Sequence, residues 1–216
     1  MNIIELEILC NSIDETEKFY KNNFGLRVIS ITNDKIAFKI GTTSLIFKEA
    51  KEYKPVYHFA IDVPNNRFED AFKFFEATTP LLPVTGDNVI ADFKNWEAKS
   101  FYFYDNNGNI VEIITRYHNH TVSDEPFTGS SYLCVSEIGL VAGNVPELAD
   151  KIEQDYNVPI FHRQPRGERF TVCGDDEGLF VLAQEGRDWF PTNVKAHSFF
   201  TRVLFYNEGV THSIER

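Results

Sequence analysis

Positive charge is scarce in this chain. Its 21 Lys and Arg stand against 32 Asp and Glu, a formal net charge of −11 over 216 residues. Nucleic acids and anionic membrane surfaces are gripped through excess Lys and Arg, so neither is expected as a partner. No run of about 18 apolar residues occurs, and no transmembrane helix is expected. The opening MNIIELEILC has neither a basic start nor a long apolar run, so no signal peptide is expected. Cysteine is sparse as well: Cys10, Cys134 and Cys173 are odd in number, far apart, and show neither CxxC pairing nor zinc-ribbon spacing. This predicts a reduced, cytoplasmic protein with small buried thiols. GxGxxG, P-loop and GxSxG motifs are absent too, which removes the best-marked nucleotide and acyl-transfer sites.

What the chain does have is apolar and aromatic. Hydrophobic residues make up 43%, with 20 Phe and 9 Tyr, enough for a full core and an aromatic-rich interior or cavity. Residues 2–10 alternate as a half-buried strand, with Glu5 and Glu7 on one face and Ile4, Leu6, Ile8 and Cys10 spread over the other register. SIDETEKFYKNNFG follows as a helix, with Ser12 and Glu15 as a capping box and Gly25 as its stop. LRVISI, KIAFKI and SLIFKEA read as strands. The order then repeats: YHFAIDV, a helix over 65–78, and strands near 88–93, 99–105 and 110–116. A third round opens at YLCVSEIGLVAG, with Pro146 near the start of its helix, and continues through ERFTVCG, GLFVLAQ and SFFTRVLF. The chain is therefore an imperfect repeat. The fold class is α+β: paired βαβββ modules over 1–117 forming a cup-shaped mixed β-sheet, a polar linker over 118–131, and a third βαβββ-like module over 132–216. The tail NEGVTHSIER is expected to fray.

Within the repeat, EILC, HFAIDV and EIGLVAG each precede a helix, and Glu5, His58 and Glu137 take matching places. Glu112 is set into the otherwise apolar strand GNIVEIITR. If the first two units face each other around one concavity, Glu5, His58 and Glu112 point into it. One imidazole and two carboxylates suit a divalent metal, because the carboxylates cancel its charge and three protein ligands leave room for water or substrate. Asp105–Asn109 reads as a tight turn. If it is the loop, Tyr104 pairs with Ile110 and Tyr102 with Glu112, so both tyrosines line the cup beside Asp62. Phe101 and Phe103 then pack under the helices.

These pieces resemble the vicinal oxygen chelate superfamily, which includes glyoxalases, fosfomycin-modifying enzymes, extradiol dioxygenases and bleomycin-resistance proteins. The resemblance is carried by ELEILCNSIDETEKFYKNNFGLRV, by YHFAIDV, and by WEAKSFYFYDNNGNIVEII, whose Asp105, Gly108, Asn109 and Glu112 match the family's closing Asp-x-x-Gly-Asn-x-x-Glu. It covers residues 2–116 well and 132–205 more loosely. It implies paired βαβββ units with a metal (Zn, Mn, Fe, Co or Ni) held at their centre by Glu5, His58 and Glu112, chelating neighbouring oxygens of a small-molecule substrate. Lyase, isomerase and dioxygenase-like chemistry all fall within it. Glu112 and Glu7 are the catalytic candidates, with Asp62 the alternative to Glu7 as a nearby base. Two departures are visible. A second His is missing from the ligand set, and Leu45 stands where glyoxalases carry a fourth ligand. The third unit is expected to lack a metal site of its own and to serve packing or formation of a homodimer. The alternative implied by the same family is a metal-free, drug-sequestering protein of the bleomycin-resistance kind.

Overall fold

The computed structural model describes residues 1–216. Strand β1 (Asn2–Cys10) leads into helix α1 (Ile13–Phe24). Ser12 caps that helix by accepting from the Glu15 amide, and Gly25 closes it in the left-handed region at φ 68°. Strands β2 (Val28–Ile31), β3 (Lys35–Ile40) and β4 (Thr43–Glu49) complete the first unit. The second unit runs through β5 (His58–Asp62), α2 (Phe68–Glu76), β6 (Ile90–Phe93), β7 (Ala98–Tyr104) and β8 (Ile110–Arg116). The third contains β9 (Cys134–Ala142), α3 (Val145–Tyr156), β10 (Phe170–Asp175) and β11 (Gly178–Gln184), and a hairpin of β12 (Thr201–Asn207) and β13 (Val210–Glu215) follows it.

These strands form two curled mixed sheets of an α+β fold, one ordered β13-β12-β1-β4-β3-β2 and the other β10-β11-β9-β5-β8-β7-β6. The order corrects the expected pairing. The second unit joins the third, through antiparallel contact of β5 with β9. The first unit joins the late hairpin, through antiparallel contact of β1 with β12. The physical reason lies in the strand faces. β5 is buried along its whole length and β9 nearly so, and such strands need cover on both faces. β1 carries Glu5 and Glu7 on one face and is neutralised there by Arg202 of β12.

A further correction concerns the C-terminus. The tail is no frayed end: β13 pairs along β12, and Ile214 is buried. The polar segment 118–131 joins the second unit to the third and is held against the body of the fold. Asn65 donates its amide N–H to the Thr121 carbonyl, Asn66 and Ser123 exchange hydrogen bonds, and Gly129 packs directly on the Gly25 backbone.

The aromatic surplus fills one core between the sheets. Tyr20, Phe24 and Phe47 from the first unit meet Phe75, Phe101 and Phe103 from the second, with Tyr20 stacked on Phe24 at 4.8 Å and Phe75 on Phe103 at 4.7 Å. Offset and edge-to-face pairs of this kind add to area burial. The cysteines stay apart as free thiols. Burial pushes their pKa up to about 11 at Cys10 and about 12 at Cys134 and Cys173.

Candidate metal centre and aromatic pocket

The turn Asp105–Asn109 sets the site. Asp105 Oδ1 accepts from the amides of Asn107 (2.8 Å) and Asn109 (2.9 Å), and its Oδ2 accepts from the Tyr20 hydroxyl at 2.7 Å. Gly108 takes φ 82° to close the loop. Asn109 then reaches across, its Oδ1 accepting from the Tyr57 amide at 2.9 Å. This contact locks β8 to β5 in parallel register, with His58 opposite Ile110 and Ala60 opposite Glu112. On the other side of β5, Ala60 pairs with Glu137 of β9. On β7, Tyr102 pairs with Glu112, as the loop placement predicts. A row therefore crosses four strands: Tyr102, Glu112, Ala60, Glu137. Adjacent strands lie about 4.8 Å apart, so the two carboxylates stand two strands apart and lean together over the small Ala60.

His58, Glu112 and Glu137 are all buried, and one ligand atom of each lies within 4.8 Å of the others. Every remaining ligand-side atom already has a protein partner. His58 Nδ1 meets the Ile110 carbonyl at 3.1 Å, so Nδ1 carries the proton and Nε2 presents its lone pair, 3.5 Å from Glu112 Oε2. Glu112 Oε1 accepts from the Tyr102 hydroxyl at 2.7 Å. Glu137 Oε1 accepts from Arg116 Nη2. Arg116 Nη1 also donates to Asp62 Oδ1 (2.8 Å) and Ser136 Oγ (3.0 Å).

The charges do not balance within the chain. Glu112, Glu137 and Asp62 face one buried cation, Arg116, and a neutral imidazole. Burial pushes the Glu137 carboxyl up to about 7, with the nearby Glu112 charge adding to the shift. Burial also raises Glu112, and it lifts Asp62 to about 6 against the pull of Arg116. Burial lowers the His58 pKa, which keeps the ring neutral and its Nε2 lone pair free. Burial opposes the Arg116 charge, but Asp62 and Glu137 outweigh it and hold the guanidinium charged. A divalent cation fits this donor set: one neutral imidazole, two carboxylates each with a free oxygen, and an excess of two negative charges once Arg116 is counted. The outer hydrogen bonds to His58, Glu112 and Glu137 are of the kind that orient metal ligands.

The structure brings together two of the three expected ligands and leaves out the third. Glu5 lies in the other sheet, half-buried and paired with Arg202, and Glu137 takes its place. Glu7 is likewise outside the centre, held by Lys35 Nζ and Arg202 Nη2, both at 2.8 Å. Asp62 is buried in the Arg116 network behind the carboxylates rather than lining the cavity. Tyr102 lines the cavity, whereas Tyr104 is partly exposed and faces a separate hollow beside Leu82 and Pro191. Arg116 and Glu137 are the additions. Arg116 had a signal in the sequence, since it lies four residues beyond Glu112 and hence on the same strand face.

Beside His58, Glu112 and Glu137 opens a cavity of about 230 Å³, walled by Phe93, Trp96, Tyr102, Phe170, Trp189 and Phe190. Trp189 lies against Gly139, where a Cβ would come within 2.5 Å of the indole, and its ring sits 5.4 Å from that of His58. The third unit thus supplies Glu137 and much of the wall, beyond the packing role expected of it.

No family model matches the sequence, and neither does any curated protein sequence. Solved structures do resemble the fold. A protein described as a "putative dioxygenase" from Bacillus subtilis subsp. subtilis str. 168 is similar over 100% of this chain and 84% of its own, with a TM-score of 0.65 and 16% identity. A lactoylglutathione lyase from Agrobacterium tumefaciens is similar over 52% of this chain and 92% of its own (TM-score 0.45, 22% identity). The fosfomycin resistance protein FosX from Listeria monocytogenes, solved with Mn(II) and sulfate, is similar over 51% of this chain and 86% of its own (TM-score 0.41, 17% identity). At these identities the likeness is one of fold alone, and it rests on the first of the three.

Proposed function

We propose that the chain is a metal-dependent enzyme of the glyoxalase/dioxygenase-like class, acting on a small molecule held in the aromatic cavity, with His58, Glu112 and Glu137 as the protein ligands of a divalent cation. One observation carries this reading: the three free ligand atoms converge within 4.8 Å while their companion atoms are held by Ile110, Tyr102 and Arg116. The cation would supply Lewis acidity toward neighbouring oxygens of a substrate. The chain's own groups do the rest. Tyr102 fixes the Glu112 carboxylate, Arg116 fixes Glu137, and Phe93, Trp189 and Phe190 exclude water and hold the substrate's apolar body. Lyase, isomerase and dioxygenase-like reactions all remain within this class.

The test is metal content. Protein purified without chelator, or offered Mn²⁺, Fe²⁺, Co²⁺, Ni²⁺ or Zn²⁺, is expected to hold one equivalent by elemental analysis. Glu137→Ala, Glu112→Ala and His58→Ala should lose it, and Glu5→Ala should retain it. No metal under any of these conditions sinks the reading. Metal retained in Glu137→Ala but lost in Glu5→Ala reverses the ligand assignment. A second reading, a metal-free binding protein, is favoured by the burial of Glu137, which pushes its carboxyl up to about 7, so that a proton relieves part of the charge excess without a cation.

A further inference from the structure

At the cavity mouth stands a cation with no partner. Arg187 lines the cavity and is half-buried, with its guanidinium 4.5 Å from the centre of the Phe170 ring. Its one hydrogen bond runs from Nη1 to the Asp188 carbonyl at 3.0 Å, and no carboxylate pairs with it. The acids beside it in sequence are engaged elsewhere, Glu185 with His197 and Asp188 with Lys195. Arg169 adds to the positive patch, since it is close enough to disfavour the Arg187 charge and bonds only to the neutral Gln184 amide. Asp188 is near enough to favour the Arg187 charge, but its carboxylate pairs with Lys195 and no carboxylate bridges this half-buried guanidinium. Its position is fixed: the loop is pinned by hydrogen bonds from the Arg187 amide to the Gln184 carbonyl at 3.0 Å and from the Ala196 amide to the Arg187 carbonyl at 2.7 Å.

We propose that the cavity selects a small aromatic carboxylate, its ring lying among Phe93, Tyr102, Trp189 and Phe190 and its carboxylate paired with Arg187. The inference rests on the reading of this cavity as the substrate site, and it adds the ligand's charge. A planar guanidinium matches a carboxylate in a two-bond fork, and stacking on Phe170 holds the fork in one orientation. A neutral ligand would leave Arg187 partly desolvated and unpaired.

The test uses benzoate, phenylacetate and 3-phenylpropanoate, each beside its primary amide. Trp96 and Trp189 are the chain's only tryptophans and both line the cavity, so intrinsic fluorescence reports binding. At least one acid is expected to bind about tenfold or more tightly than its amide, the value of a charge-assisted hydrogen bond. Arg187→Gln should erase that preference while binding of the amide persists, and Arg187→Lys should restore part of it. Equal affinity for acid and amide, a preference that survives Arg187→Gln, or no acid binding at all overturns the inference. Thermal melting of each variant keeps a folding defect separate. Metal content is measured on the same preparations: an acid preference without metal leaves this inference standing and removes the metal reading, and metal without an acid preference does the reverse.

Discussion

Replacing Arg116 with Met should cost more than any exposed ion pair in the molecule. Arg116 is 2% exposed and is the cation on which Asp62, Glu137 and Ser136 converge. Met retains much of the volume and removes the charge, leaving two buried carboxylates without their partner. Breaking a buried pair in this way typically costs about 3–5 kcal/mol. Against a total stability of about 5–15 kcal/mol, that is a large share. For a chain of this length it corresponds to a fall of about 6–20 °C in melting temperature. The pH dependence identifies the cause. Asp62 and Glu137 are already raised to about 6 and about 7 with Arg116 present, and without it their folded-state values rise further. A carboxyl raised on folding lowers stability progressively as pH climbs from its unfolded value toward its folded value. The variant's deficit should therefore be smallest near about pH 5, where these carboxyls are protonated in both folded proteins, and widen through about pH 8, where the wild type's ionise more readily. Urea unfolding at both pH values measures it, and Asp62→Asn in the Arg116→Met background should recover part of the loss. A variant as stable as wild type at about pH 8, or a deficit that does not change with pH, refutes the reasoning.

Other expectations follow from single positions. Gly41 sits at φ +51° with the Leu133 carbonyl oxygen 1.8 Å from where a Cβ would stand, so Gly41→Ala must displace the backbone entering β9. A loss of roughly 2 kcal/mol or more in urea unfolding is expected, and an unchanged midpoint would show that the two segments separate freely. Glu7 is raised by burial, but hydrogen bonds from Lys35 and Arg202 outweigh that and hold it below the usual carboxylate range. Its contribution is complete above the unfolded pKa and is lost as pH falls through the folded one, so wild type should lead Glu7→Gln at about pH 6 and that lead should shrink as the pH is brought down into the acid range. A constant gap between the two across that range would contradict the assignment.

Local structure was legible where local chemistry decides it. Ser12, Gly25 and Pro146 mark helix ends, and the Asp105–Asn109 turn fixes the register that sets Tyr102 opposite Glu112. The choice of partner between repeats was not legible, because β1, β5 and β9 open their units alike and pairing is settled between residues far apart in sequence. A weaker signal distinguished Glu5 from Glu137. ELEILC places two acids on one strand face, the pattern of a face left open. CVSEIGLVA is apolar on both faces, so its one carboxylate is carried into the interior, where a buried charge needs a counter-charge. The Arg187 loop carries no periodic pattern, and the wall it forms could be read only from the folded chain.

The clasp of β12 on β1 has a consequence for synthesis. The Arg202–Glu7 contact spans 195 positions. At ordinary elongation rates, about 10–40 s pass between the emergence of β1 and the arrival of its antiparallel neighbour. Through that interval the nascent first unit exposes a bare strand edge of the kind that recruits other chains. Glu5 and Glu7 sit on that edge strand, and like charges repel copies of themselves. The two carboxylates that stand apart from the His58, Glu112 and Glu137 cluster are thus expected to disfavour mispairing until Arg202 is made.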